Sequence, residues 1–472
     1  MAHYRFIHNL NDHSFSARQQ GFVTAAGYLL SVHRYSPKFV EFAQTLNQDY
    51  DELIMADNGF FERIRLLIRH FSAESAALLE QVSALETTLG RRCRPGDMPQ
   101  DIQTNYRILA KKVRDEVYKT EQSHELDFSA VLAEQALIQP DRQVCPEDIL
   151  LASLVGLNIE PEYCALPRSF YRYRNERSAR FCTFAKEGAW GATTGSIMAV
   201  ASAADFNSAF DAGREMALAG HEHFAIGTGA YMADHHYTDH YRQHKKTVIL
   251  ERSVPRRYLR TILTTLGLVQ GYKEVAGKPP AHIHLLGLGT PIIMLMTAWI
   301  GRDTQEISFD ATSPIKDAVE GTIYVTDPSY LKFKTRKLAE FYAQNPADNW
   351  QCDCLYCQSY SKKYPMNSAK AAQWWEKNQP ASLGREHLED NTALAEALPL
   401  FAEPRNSPFL ADISDWRMGH NHMMLERSMA AFNECGSAKD FKTLAEHKIS
   451  AYINRSLPHY AYAIQHAWEM AS

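Results

Sequence analysis

The sequence contains few cysteines, and it lacks both a long apolar run and a signal-peptide core. Its 472 residues include only eight cysteines, too few for a disulfide-based scaffold, which favours a reducing, cytoplasmic location. The longest apolar run, Pro291–Ile300, is too short to cross a bilayer, so we expect no membrane association. The N-terminal segment MAHYRFIHNLNDHSF has no apolar core of the signal-peptide type.

The sequence also lacks a dominant charge. Its formal net charge is −5, so no overall positive field attracts nucleic acid, and any such binding must come from local patches. With 45% hydrophobic and 22% charged residues, the composition excludes a disordered or collagen-like chain. One local patch interleaves arginines with aromatic rings, a pattern typical of phosphate contact combined with base stacking. We predict nucleic-acid contacts there, with a solvated helix face as the alternative, for Arg168, Arg172, Arg174 and Arg177.

Short apolar runs alternate with helical patterns along much of the chain. Strand-like runs are followed by helical patterns in at least five places, which predicts an α/β fold, a (β/α)8 TIM barrel. The strand-like runs are residues 51–57, 196–203, 223–229, 247–251, 282–289 and 306–313. We predict a catalytic barrel over 1–341 with a helical insertion at about 60–160. A zinc-binding subdomain with C-terminal helices then covers 342–472.

Three cysteines lie within six residues, as Cys352-x-Cys354-x-x-Cys357. Such a cluster in a cytosolic protein usually binds a metal, and tetrahedral Zn²⁺ needs a fourth ligand from elsewhere in the chain. The candidates for this ligand are His387, His420 and His422. Four protein ligands leave no open coordination position, so we expect a structural zinc.

The triplet followed by His420-Asn421 at a helix start resembles the zinc subdomain of tRNA-guanine transglycosylases. Four further segments are similar to that family in the same chain order: residues 54–61, 195–231, 284–291 and 307–314. The resemblance implies that His420 is the fourth zinc ligand, Asp310 the nucleophile and Asp57 the general acid/base. From the residues alone, each aspartate can equally be a helix N-cap after a strand.

The resemblance also implies a pocket for the purine base. Asn58 and Gly59 would line it, and Gly227-Thr228-Gly229 would bring the backbone close to the purine edge, because glycine has no side chain. Gly287 and Asp127 complete the expected set. The alternatives are plain tight turns for the glycines and a solvated loop carboxylate for Asp127.

Departures from the family pattern favour DNA over tRNA as the substrate. The base-reading stretch is replaced near residues 200–202, and the arginine-containing stretch after the nucleophile becomes Thr312-Ser313-Pro314-Ile315. These changes resemble the branch that exchanges guanine in DNA for 7-cyano-7-deazaguanine (preQ0), which implies an ATPase partner and allows a homodimer. A tRNA transglycosylase and a non-catalytic nucleic-acid-binding paralogue are the alternatives.

Overall fold

The computed structural model describes most of the chain. The described residues are 1–19, 25–50, 52–90, 93, 95–122, 128–159, 168–188, 196–228, 236–237, 240–243, 246–249, 254–324, 332–334, 352–363, 367–377, 410–456 and 458–472. No helix among them combines the length and the apolar composition needed to cross a membrane.

Eight parallel strands form a closed barrel. They are β1 (His3–Asn9), β2 (Gly27–Ser31), β3 (Leu53–Asp57), β4 (Arg142–Val144), β5 (Ser196–Ala201), β6 (His223–Gly227), β7 (His282–Leu286) and β8 (Glu306–Asp310). Their order around the barrel is β1-β8-β7-β6-β5-β4-β3-β2. The predicted (β/α)8 TIM barrel is therefore confirmed. Apolar side chains from six of the strands pack together in a buried cluster, as the two-residue period of a strand requires. Its buried members are Ile7, Leu29, Met55, Val144, Met198, Val200 and Ala225.

The described residues also form helices. They are α1 (Asp12–Gln19), α2 (Pro37–Tyr50), α3 (Phe60–Leu89), α4 (Gln100–Gln122), α5 (Phe128–Ala136), α6 (Ile149–Gly156), α7 (Arg168–Lys186), α8 (Phe206–Leu218), α9 (Arg256–Ala276), α10 (Pro291–Ile300), α11 (Ser313–Val319), α12 (Leu355–Lys363), α13 (Ser368–Lys377), α14 (Leu410–Asn433), α15 (Ala438–Arg455) and α16 (Pro458–Ala471). Short hairpins pair His236–Tyr237 with Val254–Pro255, His240–Gln243 with Lys246–Ile249, and Thr322–Tyr324 with Lys332–Lys334.

The insertion between β3 and β4 is shorter than the sequence predicts. Helices α3, α4 and α5 form it, and their apolar faces share a core with α6. The predicted limit of about 160 is wrong, because β4 at Arg142–Val144 already belongs to the barrel. This strand has only three residues, and the buried amide of Gln135 on α5 supports it by donating to the carbonyls of Ala56 and Val144.

The apolar run at 247–251 is not a barrel strand. Residues Lys246–Ile249 pair antiparallel with His240–Gln243 in a hairpin between β6 and α9. A run of three apolar residues between a threonine and a glutamate suits a hairpin strand as well as a barrel strand, so its composition does not separate the two.

Two compact units divide the chain. The first comprises Met1–Ile7, Gly27–Asp310 and Asn433–Ser472, and the second comprises His8–Ala26 and Ala311–Phe432. This division differs from the boundary expected at 341/342, because α15 and α16 pack on the barrel helices. Trp299 of α10, for example, stacks on Phe441 with ring centroids 6.1 Å apart.

Helices α8 and α9 pack with their backbones in close contact. A Cβ atom on Gly271 would lie 1.9 Å from the carbonyl oxygen of Phe210, and one on Gly213 would lie 2.2 Å from that of Leu268. Only glycine fits at these two positions, since real side chains do not approach a backbone oxygen so closely. The glycines therefore set the distance between the two helices.

Candidate functional site

Asp57 and Asp310 lie at the carboxyl ends of β3 and β8. The carboxyl ends of parallel barrel strands share one rim, where barrel enzymes place their active sites. The pKa of Asp57 is raised, first by burial and then by the negative charge of Asp310. The backbone N–H of Gly59 donates to Asp57 Oδ2 at 3.3 Å and offsets part of the increase in the pKa of Asp57. The structure thus brings the two predicted catalytic carboxyls into electrostatic contact.

The side chain of Asp310 is held at one oxygen by the neighbouring strand β7. The backbone N–H of Gly287 donates to Asp310 Oδ1 at 2.9 Å. Gly287 has φ = 77°, a left-handed conformation that glycine adopts without strain. His284 Nε2 lies 3.2 Å from the same Oδ1. The role of Gly287 is therefore to orient the carboxylate, and the sequence had predicted it only as part of the base pocket.

Glu147 is a third carboxyl group in this region, and the sequence analysis did not find it. It lies three residues after β4, is buried, and its Oε2 lies 3.6 Å from where a Cβ of Gly227 would be. Burial, the charge of Asp57 and then that of Asp148 raise the pKa of Glu147 to about 8. A strongly perturbed carboxyl group at the active-site rim of a barrel is a candidate functional residue.

The predicted base-pocket residues differ in what they contact. Asn58 is buried and satisfied within the protein, since its Nδ2 donates to the carbonyl of Cys145 and its Oδ1 accepts from the N–H of Phe60, both at 2.8 Å. It shapes the turn after β3. Gly59 adopts φ = 73° and accepts a hydrogen bond from the His33 ring at its carbonyl oxygen.

On the neighbouring loop, the Thr228 hydroxyl donates to the carbonyl of Leu286 at 2.6 Å and ties the end of β6 to β7. Gly227 is half-buried and faces Glu147. Gly229 and Asp127, also predicted for the pocket, lie outside the described residues.

The four predicted nucleic-acid arginines all lie on α7, and three of them bind carboxylates of the same unit. Arg168 contacts Asp211 and Arg172 contacts Glu215, whereas Arg174 is buried in an ion pair with Asp148. The donor–acceptor distances are 2.8 Å from Arg168 Nη2 to Asp211, 2.9 Å from Arg172 Nε to Glu215 and 2.6 Å from Arg174 Nη2 to Asp148. Arg174 is thus a buried support for the segment that carries Glu147.

Arg177 lies over the ring of Phe181, at 5.0 Å from its centroid. Arg168 and Arg172 are exposed, Arg177 is half-buried and Arg174 is buried. A phosphate contact by the buried Arg174 would require it to give up its ion pair and leave the charge of the buried Asp148 side chain uncompensated.

The second unit brings Cys352, Cys354, Cys357 and His420 together. Their ligand atoms all lie within 4.8 Å of one another, and His420 Nδ1 is 3.5, 3.6 and 3.4 Å from the three sulfurs in chain order. Zn–S and Zn–N bonds of about 2.3 and 2.1 Å give a tetrahedron whose N···S edges are about 3.6 Å long. The four residues can therefore hold a metal ion, and their spacing is compatible with zinc.

Backbone contacts of His420 orient its ring towards the sulfurs. Its Nε2–H donates to the carbonyl of Tyr324 at 2.6 Å, which leaves the Nδ1 lone pair for a metal. Asn421 binds the same strand, accepting from the N–H of Tyr324 and donating to the carbonyl of Thr322. Gly419 allows this arrangement, since a Cβ there would lie 2.1 Å from the ring of Tyr356, which is next to Cys357 on α12.

Of the other two histidine candidates, His422 does not join the cluster. His422 Nδ1–H donates to the carbonyl of Met418, and the ring stacks on His8 with centroids 4.4 Å apart. His387 lies outside the described residues.

The chain was also compared with known proteins. No protein-family model matches the sequence, and no curated protein matches it either.

Proposed function

We propose that this chain is a guanine transglycosylase that exchanges guanine in DNA for preQ0 through a covalent Asp-glycosyl intermediate. The observation that carries the proposal is the pair formed by Asp57 and Asp310, two carboxyls in electrostatic contact at the rim of a (β/α)8 barrel. Retaining displacement at a sugar carbon needs one carboxylate as nucleophile and a second group as acid and base. The raised pKa of Asp57 favours its protonated form, which suits the acid.

In the proposed reaction, an ionised Asp310 oxygen attacks C1′ of the nucleotide and the bond from C1′ to guanine breaks. Asp57 gives its proton to the departing base, which leaves Asp310 joined to the sugar as an ester. Incoming preQ0 loses a proton to Asp57 and attacks C1′, which releases Asp310 and restores the starting protonation states. Two inversions preserve the anomeric configuration.

Glu147 is suited to reading the edge of the base. A purine of the guanine type presents two adjacent N–H donors, at N1 and the 2-amino group, and an ionised carboxylate accepts both. Gly227 opposite Glu147 has no side chain, which gives the base access to the backbone there. We propose Glu147 for this role, which the sequence analysis had given to Asp127.

We further propose that the metal is a structural zinc bound by Cys352, Cys354, Cys357 and His420. The tetrahedral edge lengths support this choice of ion, and four protein ligands leave no position for substrate. When bound, the zinc would join the Cys352–Cys357 segment to α14 and stabilise the second unit.

Base exchange with labelled preQ0 tests the proposal. The protein is incubated with the label and either duplex DNA or tRNA, with and without extract that supplies an ATPase partner. We expect label in DNA, and none with Asp57→Asn or Asp310→Asn. Asp303→Asn, the same change at an exposed site, is the matched control. Label in tRNA alone would favour a tRNA transglycosylase, and binding without exchange under every condition would favour a non-catalytic accessory protein.

A further inference from the structure

A series of contacting polar side chains lies in the barrel interior on β7 and β8 and ends at Asp310. His282 Nε2 and His284 Nδ1 each lie 2.7 Å from the hydroxyl oxygen of Ser308. His284 Nε2 then lies 3.2 Å from Asp310 Oδ1. The two histidines and Ser308 are almost completely buried, so their polar atoms need hydrogen-bond partners.

The Ser308 hydroxyl has one proton, so it donates to only one of the two imidazoles, and the other must donate to it. Burial, then the neighbouring His284, lowers the pKa of His282 well below its usual value, which makes His282 neutral, with one ring proton. The first arrangement has His282 Nε2–H donating to Ser308 and Ser308 donating to His284 Nδ1. The ring proton of a neutral His284 is then on Nε2, facing Asp310.

The reverse arrangement of protons costs free energy at both ends of this series of hydrogen-bonded side chains. It would put the proton of His282 on Nδ1, a buried atom with no hydrogen-bond partner among the described residues. It would also leave the bare lone pair of His284 Nε2 facing the carboxylate oxygen at 3.2 Å. An unsatisfied buried donor and a repulsive contact both cost free energy, whereas the first arrangement leaves a bare acceptor on His282 and directs the His284 N–H at the carboxylate.

We propose that His284 is a positioning residue for the nucleophile, with its Nε2–H directed at Asp310 Oδ1 and its tautomer fixed by Ser308 and His282. Nε2 has no well-aligned hydrogen bond among the described residues, so a small rotation of the ring completes the contact. Together with the Gly287 N–H, this places two N–H donors at one oxygen and orients the carboxylate before substrate binds. The role in base exchange rests on the proposed function, but the tautomer does not.

The tautomer is measured by ¹⁵N NMR of the histidine rings in the full-length protein. The His284 signals are assigned by their loss in His284→Gln. We expect the ring proton on Nε2 and a bare lone pair on Nδ1. A ring protonated on Nδ1 would overturn the inference, whether or not the protein exchanges bases.

A matched pair of substitutions then separates positioning from packing. In His284→Gln the amide nitrogen can replace Nε2, whereas in His284→Asn the amide reaches only the place of Nδ1. With both variants folded by circular dichroism, we expect kcat to fall about 100-fold in the Asn variant, with KM for the base unchanged and much of the rate retained in the Gln variant. Equal losses in the two variants, or a change in KM alone, would refute the positioning role.

Discussion

At the scale of single residues, the proposed role of Glu147 in binding the base depends on its protonation state. Burial, Asp57 and Asp148 raise its pKa to about 8, so the free protein holds it mostly protonated at neutral pH. The carboxylate form is the one that accepts two N–H groups of a purine edge. Base binding should therefore release a proton from Glu147.

This linkage predicts how affinity depends on pH. Because the protonated form dominates below the pKa, guanine should bind more tightly as pH rises from 6 towards 8, by up to about tenfold per pH unit. Isothermal titration calorimetry in buffers of different ionisation enthalpy measures both the affinity and the proton release. Glu147→Gln should remove this pH dependence, while Glu187→Gln, at an exposed site, should keep it. A pH-independent affinity in the wild-type protein would refute the assigned role.

At the scale of secondary-structure elements, the packing of α8 on α9 depends on glycine. Replacing Gly271 by Ala gains up to about 1 kcal/mol of helix propensity. The new methyl group, however, would lie 1.9 Å from the Phe210 carbonyl oxygen, and overpacking of this kind typically costs about 1–3 kcal/mol. The two helices must separate to accept it, so the packing cost should exceed the gain.

We therefore expect Gly271→Ala to lower the midpoint of thermal unfolding. Gly96→Ala is the control, since a Cβ there meets no atom within 4 Å. An unchanged or higher midpoint for Gly271→Ala would show that the helices are not in such close contact.

How much the sequence predicts also differs from element to element. The strand that ends at Asp57 is apolar and precedes a long periodic helix, so it could be placed from its pattern. The strand that ends at Asp310 alternates polar and apolar residues and precedes a helix of only seven residues, so the role of Asp310 depended on the family resemblance. Strand β4 has three residues, two of them polar, and produces no recognisable pattern. Because β4 was not found, Glu147 beyond its end was not found either. The contact of His284 with Asp310 depends on the register between β7 and β8, which no pattern within one strand encodes.

At the scale of the whole molecule, the location of the metal cluster in one unit and of the carboxyl groups in the other has a direct consequence for metal removal. The cysteine cluster lies wholly in the second unit, and the carboxyl groups and His284 lie in the first. Cys354→Ser removes one of four ligands and should lower both the zinc content and the unfolding temperature. Cys435→Ser, which changes a thiol outside the cluster, should leave the zinc content unchanged. Full metal content in Cys354→Ser would rule out the zinc site.

The central claim is that Asp310 forms a covalent bond to the sugar, and trapping this intermediate tests it most directly. Wild-type protein is mixed with guanine-containing DNA, denatured, and examined by mass spectrometry for a protein–DNA adduct. The account predicts an adduct on the peptide that carries Asp310, its loss on addition of excess preQ0, its presence in Asp303→Asn and its absence in Asp310→Asn. An adduct that persists in Asp310→Asn, or that maps to another residue, would contradict the account.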